Sequence, residues 1–184
     1  MERNRMGEIA ITAGLGFAAG ALLANPARKL AMQGAEAIGT RDWADALTLE
    51  HRAVSKIFDA LLQTSDDQTG KRKSGLAAID HALTKHSLQE ELVIYPALRR
   101  VDEDQAQSLF NDHVEVKTFL SELSFDLKPS DPAWLTRLRE FKQTLDKHIR
   151  EEENEVFPSF RARMSEEENL LLTKHMHLQG LKVA

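Results

Sequence analysis

The sequence predicts an all-α fold: an up-down-up-down four-helix bundle, with an extra apolar segment before it and a short helix after it. Three observations predict it. Val, Ile, Thr and aromatic residues never cluster with period two, so no strand signal exists. Beyond residue 41, apolar residues recur at helical spacing through four stretches of about 20–26 residues. Short polar breaks separate those stretches, as antiparallel neighbours require.

The first helix spans about Asp42 to Gln63. Leu47, His51, Val54, Phe58 and Leu61 fall 4, 3, 4 and 3 apart, which is one face. A polar loop from Thr64 to about Lys73 follows, carrying the turn residues Ser65, Asp66, Asp67 and Gly70. The second helix runs from about Ser74 to Arg99, with Leu83, His86, Glu90, Val93 and Ala97 on its face. The third runs from about Asp104 to Leu127 and presents Leu109, His113, Val116 and Leu120. Asp131-Pro132 supplies an N-cap and a first helical residue for the fourth helix, which extends to about Phe157; Pro158 marks its last turn or a kink. Ser165 with Glu168 reads as a capping box for the short C-terminal helix. The chain thus divides into residues 1–41, a bundle over 42–163, and a C-terminal helix and tail over 164–184.

Residues 1–41 differ in composition from the rest. They carry five basic and three acidic residues, net +2, against 19 and 26, net −7, in the remainder. Residues 9–24 form an uncharged run of sixteen, rich in Gly and Ala. Sixteen is short of the roughly 20 apolar residues of a spanning helix, but Gly16 and Gly20 form a GxxxG pair suited to close helix packing. The expectation is membrane association through 9–24, or docking on the main domain or on a partner; a cleaved export signal is the third reading. Gly14 to Ala19 also fits a relaxed dinucleotide fingerprint. Asn25-Pro26 breaks the helix that this motif needs, and no β-rich run follows.

Composition narrows the chemistry. The net charge of 24 − 29 = −5 argues against nucleic acid as a partner. The absence of Cys excludes thiol catalysis and thiolate metal sites. It fits either redox compartment, so a cytoplasmic location is expected and export stays open. A metal must then be held by nitrogen and oxygen, and the seven His are the place to look.

The His repeat. His51 to His86 is 35 residues, and so is His113 to His148. Glu50-His51 lies over Asp112-His113, Lys85-His86 over Lys147-His148, Glu90-Glu91 over Glu152-Glu153, and Tyr95-Pro96 over Phe157-Pro158. Each half is a helix hairpin with one His on its first helix and a His-x-x-x-Glu on its second. Residues four apart share a helix face, so His86 with Glu90, and His148 with Glu152, each present an imidazole and a carboxylate to one point. An unpartnered Glu on an apolar stripe is costly, which points to a cation. Four His and two carboxylates suit Fe, Mn or Zn, and carboxylates can bridge two metals.

These residues resemble the hemerythrin-like, HHE cation-binding proteins over roughly residues 43–163. The resemblance rests on His51, His86 to Glu90 running into Tyr95-Pro96, His113, and His148 to Glu152 running into Phe157-Pro158. It implies that His51, His86, Glu90, His113, His148 and Glu152 ligate two Fe ions with an oxo or hydroxo bridge, in preference to Mn or Zn. It also implies a small diatomic ligand or peroxide as partner, in oxidative or nitrosative stress or iron homeostasis. Whether the centre turns over peroxide or nitric oxide, or serves as a sensor or reservoir, stays open. Oxygen-carrying members have a fifth His four residues after the third-helix one; here that position is Lys117. The match is closer to bacterial members, including proteins that repair iron centres under nitrosative stress.

The other polar residues receive plainer readings. His81 lies about 140° around the helix from His86 and reads as a surface residue. Glu91 and Glu153 fall off the ligand face and read as solvated or as backing the ligands. Glu50 and Asp112, each beside a candidate ligand His, read as solvent-exposed before they read as orienting that ring through its other N–H. Tyr95 reads as packing, and His175 and His177 as outside the site.

Overall fold

The computed structural model describes residues 41–183. The membrane or docking segment expected at 9–24 lies outside the described residues. Five helices follow one another. α1 is Trp43–Leu62, capped by the Asp42 carboxylate, which accepts from the Ala44 N–H at 3.1 Å. α2 starts as Thr69–Gln89, passes through a π-helical turn at Glu90–Ile94 and ends with Tyr95–Leu98. α3 is Glu103–Ser121, with a final π turn at Glu122–Asp126 and Asp102 as its N-cap. α4 is Pro132–Glu151, a π turn at Glu152–Val156, and Phe157–Arg161. α5 is Glu166–Gly180, opened by the Ser165/Glu168 capping box.

Two boundaries depart from the sequence expectation. α2 begins at Thr69 rather than near Ser74, so the first loop is shorter than the turn residues suggest. The cause is Arg72, which is completely buried. Its guanidinium donates to Thr64 Oγ1 at 3.0 Å, to the Thr64 carbonyl at 3.2 Å, to Asp66 at 2.8 Å and to the Pro129 carbonyl at 2.5 Å. It also lies over the Trp134 ring, 5.2 Å from the centroid. Arg72 therefore ties the α1–α2 and α3–α4 loops together from within the first turn of α2. Gly75 then lets α2 approach α1, since a Cβ there would collide with the Leu61 side chain.

The second departure is in α4, which continues past Pro158 to Arg161. A proline inside a helix lacks the N–H donor and crowds the carbonyl four residues back. Here the π turn absorbs that conflict. The Phe157 N–H donates to the Glu152 carbonyl, five residues back, and the Tyr95 N–H donates to the Glu90 carbonyl in the same way.

α1 packs on α2, α2 on α3, α3 on α4 and α4 on α1, closing a four-helix bundle. Its interior is two apolar layers. One holds Trp43, Leu47, Tyr95, Leu109, Phe157 and Phe160. The other holds Phe58, Ile79, Leu83, Leu123, Trp134 and Phe141. α5 closes the first layer with Leu172 and Met176. It is pinned there by Trp43, whose backbone N–H donates to Thr173 Oγ1 at 3.2 Å and whose indole donates to Asn169 at 2.7 Å. Among the described residues, no helix is long and apolar enough to cross a membrane.

Candidate metal centre

Between the two apolar layers, the bundle is polar. α1 contributes His51, α2 contributes His86 and Glu90, α3 contributes His113, and α4 contributes His148 and Glu152. The four imidazoles are buried and the two carboxylates have no exposed surface at all. The structure brings all six sequence-selected residues together. His86 Nε2 and His113 Nε2 lie 3.1 and 3.3 Å from Glu90 Oε2. His51 Nε2 and His148 Nε2 lie 3.4 and 3.3 Å from Glu152 Oε2. Each carboxylate thus faces one imidazole from its own helix and one from a helix of the other hairpin or its neighbour.

Every ring is held from behind by a carboxylate on Nδ1. Glu50 lies 3.2 Å from His86 and Asp112 3.3 Å from His148, each within its own hairpin. Glu153 lies 2.9 Å from His51 and Glu91 2.9 Å from His113, each across the two hairpins. The two halves, related by 62 residues in sequence, repeat these contacts to within 0.1 Å. This corrects the reading of Glu50 and Asp112 as solvent-exposed: at 12% and 25% exposure they serve rings on the neighbouring helix. Sequence adjacency to a His pointed to the wrong ring, because residue i and residue i+1 of a helix face different directions. Lys85 pairs with Glu50, and Lys117 Nζ donates to Glu91 at 2.5 Å. Lys117, at the expected fifth-His position, therefore points to Glu91 and is 55% exposed.

Tyr95 is also corrected. It does pack, against Phe110, but its hydroxyl enters the polar layer. It donates to Glu152 Oε1 at 2.7 Å, and lies 3.3 Å from Glu90 Oε2 and 3.0 Å from His113 Nε2. In an α-helix, residues five apart are about 140° from one another. The π turn at Glu90–Ile94 bonds i to i+5 and brings Glu90 and Tyr95 to one side. The Tyr95-Pro96 dipeptide was the available signal for it. His81 is exposed, as expected. His177 accepts no role in the cluster; its Nε2 lies 2.7 Å from the Arg41 carbonyl.

The donor chemistry fits a cation. Nδ1–H groups directed at carboxylates leave Nε2 lone pairs directed inward. His51 Nε2 and His86 Nε2 then face each other at 2.9 Å, an arrangement that needs a proton or a metal between lone pairs. Glu90 Oε1, Glu152 Oε2 and His148 Nε2 are buried without a hydrogen-bond partner, which is costly unless something electrophilic satisfies them. With protons alone, the site compensates electrostatically. Burial opposes the charged His86, but Glu90 and Glu50 push its imidazolium well above the usual range. Burial likewise opposes a charged Glu90, yet His86 and His113 hold it well below the usual carboxylate range. Burial lowers His113, while hydrogen bonds to Glu90 and Glu91 more than offset that and push it up to about 9. Tyr95 is pushed well above an ordinary phenol by burial and by Glu152 and Glu90. Among the described residues, two groups of donor atoms emerge: His51, His86, Glu90 and Glu152, and Glu90, His113 and His148.

A four-helix bundle with a buried nitrogen and oxygen donor cluster at its centre fits a metal site. Residues 43–160 match the hemerythrin HHE cation binding domain, and the chain belongs to that family. Two curated relatives carry different names. One, from Nostoc sp. (strain PCC 7120 / SAG 25.82 / UTEX 2576), is named a DNA nickase. It is 30% identical over 125 residues, 67% of this chain and 35% of that protein. The other is an uncharacterized hemerythrin-like protein of Schizosaccharomyces pombe, 28% identical over 130 residues, 68% of this chain and 63% of that protein. The chain thus spans about a third of the first and under two thirds of the second. No solved structure matches the chain.

Proposed function

We propose that this chain is a non-haem di-iron protein that binds or reacts with dioxygen, peroxide or nitric oxide. His51, His86, Glu90, His113, His148 and Glu152 are its ligands in this reading. The observation that carries it is that Glu90 belongs to both donor groups, so one carboxylate can serve two cations, as oxygen donors do in paired sites. Iron, when bound, supplies one-electron redox chemistry and coordination positions for a small molecule. The chain's own residues do the rest. Glu50, Glu91, Asp112 and Glu153 fix the ring tautomers through Nδ1. The apolar layers on either side exclude bulk water. In the metal-free site Tyr95 holds a proton on its oxygen and directs it to Glu152 Oε1.

An iron reservoir or sensor without turnover is the second reading. Its support is burial: Glu90 and Glu152 have no exposed surface. The cleft of about 250 Å³ between α2 and α3 is lined by Leu83, Ser87, Val116 and Lys117 among others, and by none of the six donors. The DNA nicking in the name of the Nostoc relative is not carried over. That match reaches 35% of the relative, and residues 42–184 carry 19 − 26 = −7, a poor surface for phosphates. Membrane association through residues 9–24 remains part of the proposal.

Anaerobic purification, metal analysis and an optical spectrum before and after oxygen test the function. Two irons per chain and consumption of peroxide or nitric oxide are expected of the iron-loaded protein. Two irons without any consumption would leave the reservoir reading. Failure to bind iron would overturn both.

A further inference from the structure

Among the side chains that reach the polar layer between the six donors, the pseudo-symmetry breaks at one aromatic position. The residues related by 62 positions repeat His51 with His113, His86 with His148, and Glu90 with Glu152, but Tyr95 corresponds to Phe157. Both aromatic residues follow a buried Glu by five positions, and a π turn swings both toward the polar layer. Phe157 stacks on His51, with ring centroids 6.2 Å apart, and brings no donor. Tyr95 brings an oxygen to the His113 side. There it lies 3.0 Å from His113 Nε2, 2.7 Å from Glu152 Oε1 and 3.3 Å from Glu90 Oε2.

The donor groups are unequal in the complementary sense. The group around His51 and His86 offers four ligand atoms, and the group around His113 and His148 offers three. The Tyr95 oxygen lies beside two members of the smaller group, His113 and Glu90, as well as beside Glu152 of the larger one. We propose that Tyr95 is a metal ligand, through its phenolate oxygen, of the cation on the His113/His148 side. This rests on the di-iron reading and deepens it, because it makes the two positions chemically different. When the cation binds, the Oη–H bond breaks and its proton leaves to solvent, as at other protonated donors. No electron moves in that step. A hard phenolate favours a trivalent ion, so the His113 side is the one that holds ferric iron more tightly.

The chain contains one Tyr, so a tyrosinate signal can come from no other residue. The full chain is loaded anaerobically with a ferrous salt and then oxidised with ferricyanide. Iron content, visible absorption and resonance Raman spectra are recorded for it and for Tyr95→Phe. That substitution reproduces what the other half already carries at Phe157, so folding is expected to survive. The expected result is a visible phenolate-to-iron charge-transfer band with tyrosinate Raman modes, both lost in Tyr95→Phe. Absence of the band from the ferric unsubstituted protein overturns the assignment, whatever the iron count. Persistence of the band in Tyr95→Phe overturns it equally. An iron count below two sinks the paired reading instead, and a band present with one iron still supports Tyr95 as a ligand.

Discussion

Tyr95 and Glu152 meet across the bundle, hydroxyl to carboxylate at 2.7 Å, although they sit 57 residues apart on α2 and α4. The contact links the two hairpins at a place where their repeat fails, since Phe157 stands where the other half has Tyr95. It exists because a π turn redirects Tyr95, and the turn exists beside a proline that an unbroken α-helix would not accommodate.

Glu90 is the donor common to both groups. Glu90→Ala is therefore expected to lower iron below two per chain, and to reduce the melting temperature of the iron-loaded protein. Loss of the shared carboxylate removes a tie between α2 and α3 as well as metal affinity. Iron analysis after gel filtration checks it, and a full pair of irons in the variant would contradict the bridging role.

Glu91 and Glu153 touch no inward-facing nitrogen, yet each holds an Nδ1 at 2.9 Å. Replacing either by Ala should weaken iron binding about 10–100-fold while leaving the fold intact. Competition with a chelator measures the affinity. An unchanged affinity would mean that these carboxylates are only surface charge.

The metal-free protein should respond to pH through His113, whose value rises from 6.5 to about 9 on folding. A folded-state value above the unfolded one means the native state holds the extra proton. The stabilisation is complete below about pH 6.5 and fades as pH climbs through about 9. Iron competes with that proton, so affinity should rise over the same window. Thermal unfolding of the metal-free chain across this range checks the sign; a melting temperature that increases with pH would refute it.

Residues 41–184 should fold and bind iron without residues 1–40, because both apolar layers and all six donors lie within α1 to α5. Met176, completely buried on α5, is the contrasting case. Met176→Ala should cost about 2–5 kcal/mol, read by denaturant unfolding. Aggregation of the shortened chain, or a negligible effect of Met176→Ala, would show that the domain is bounded differently.

The repeat of His and Glu, the helix faces and the caps at Asp131 and Ser165 were legible in the sequence, since each depends on residues within one or two turns. So were the six inward donors, because a periodic stripe assigns a face without knowledge of the partner helix. Direction within the polar layer was not legible. Glu50 reaches His86 rather than its neighbour His51, and Glu153 reaches His51 from the other hairpin. Arg72 starts α2 early because it finds carbonyls from two loops. Tyr95 turns from packing residue to site residue because a π turn shifts the register by one. Helical periodicity fixes which face a side chain occupies; only the packing of one helix against the next fixes which atom that face meets.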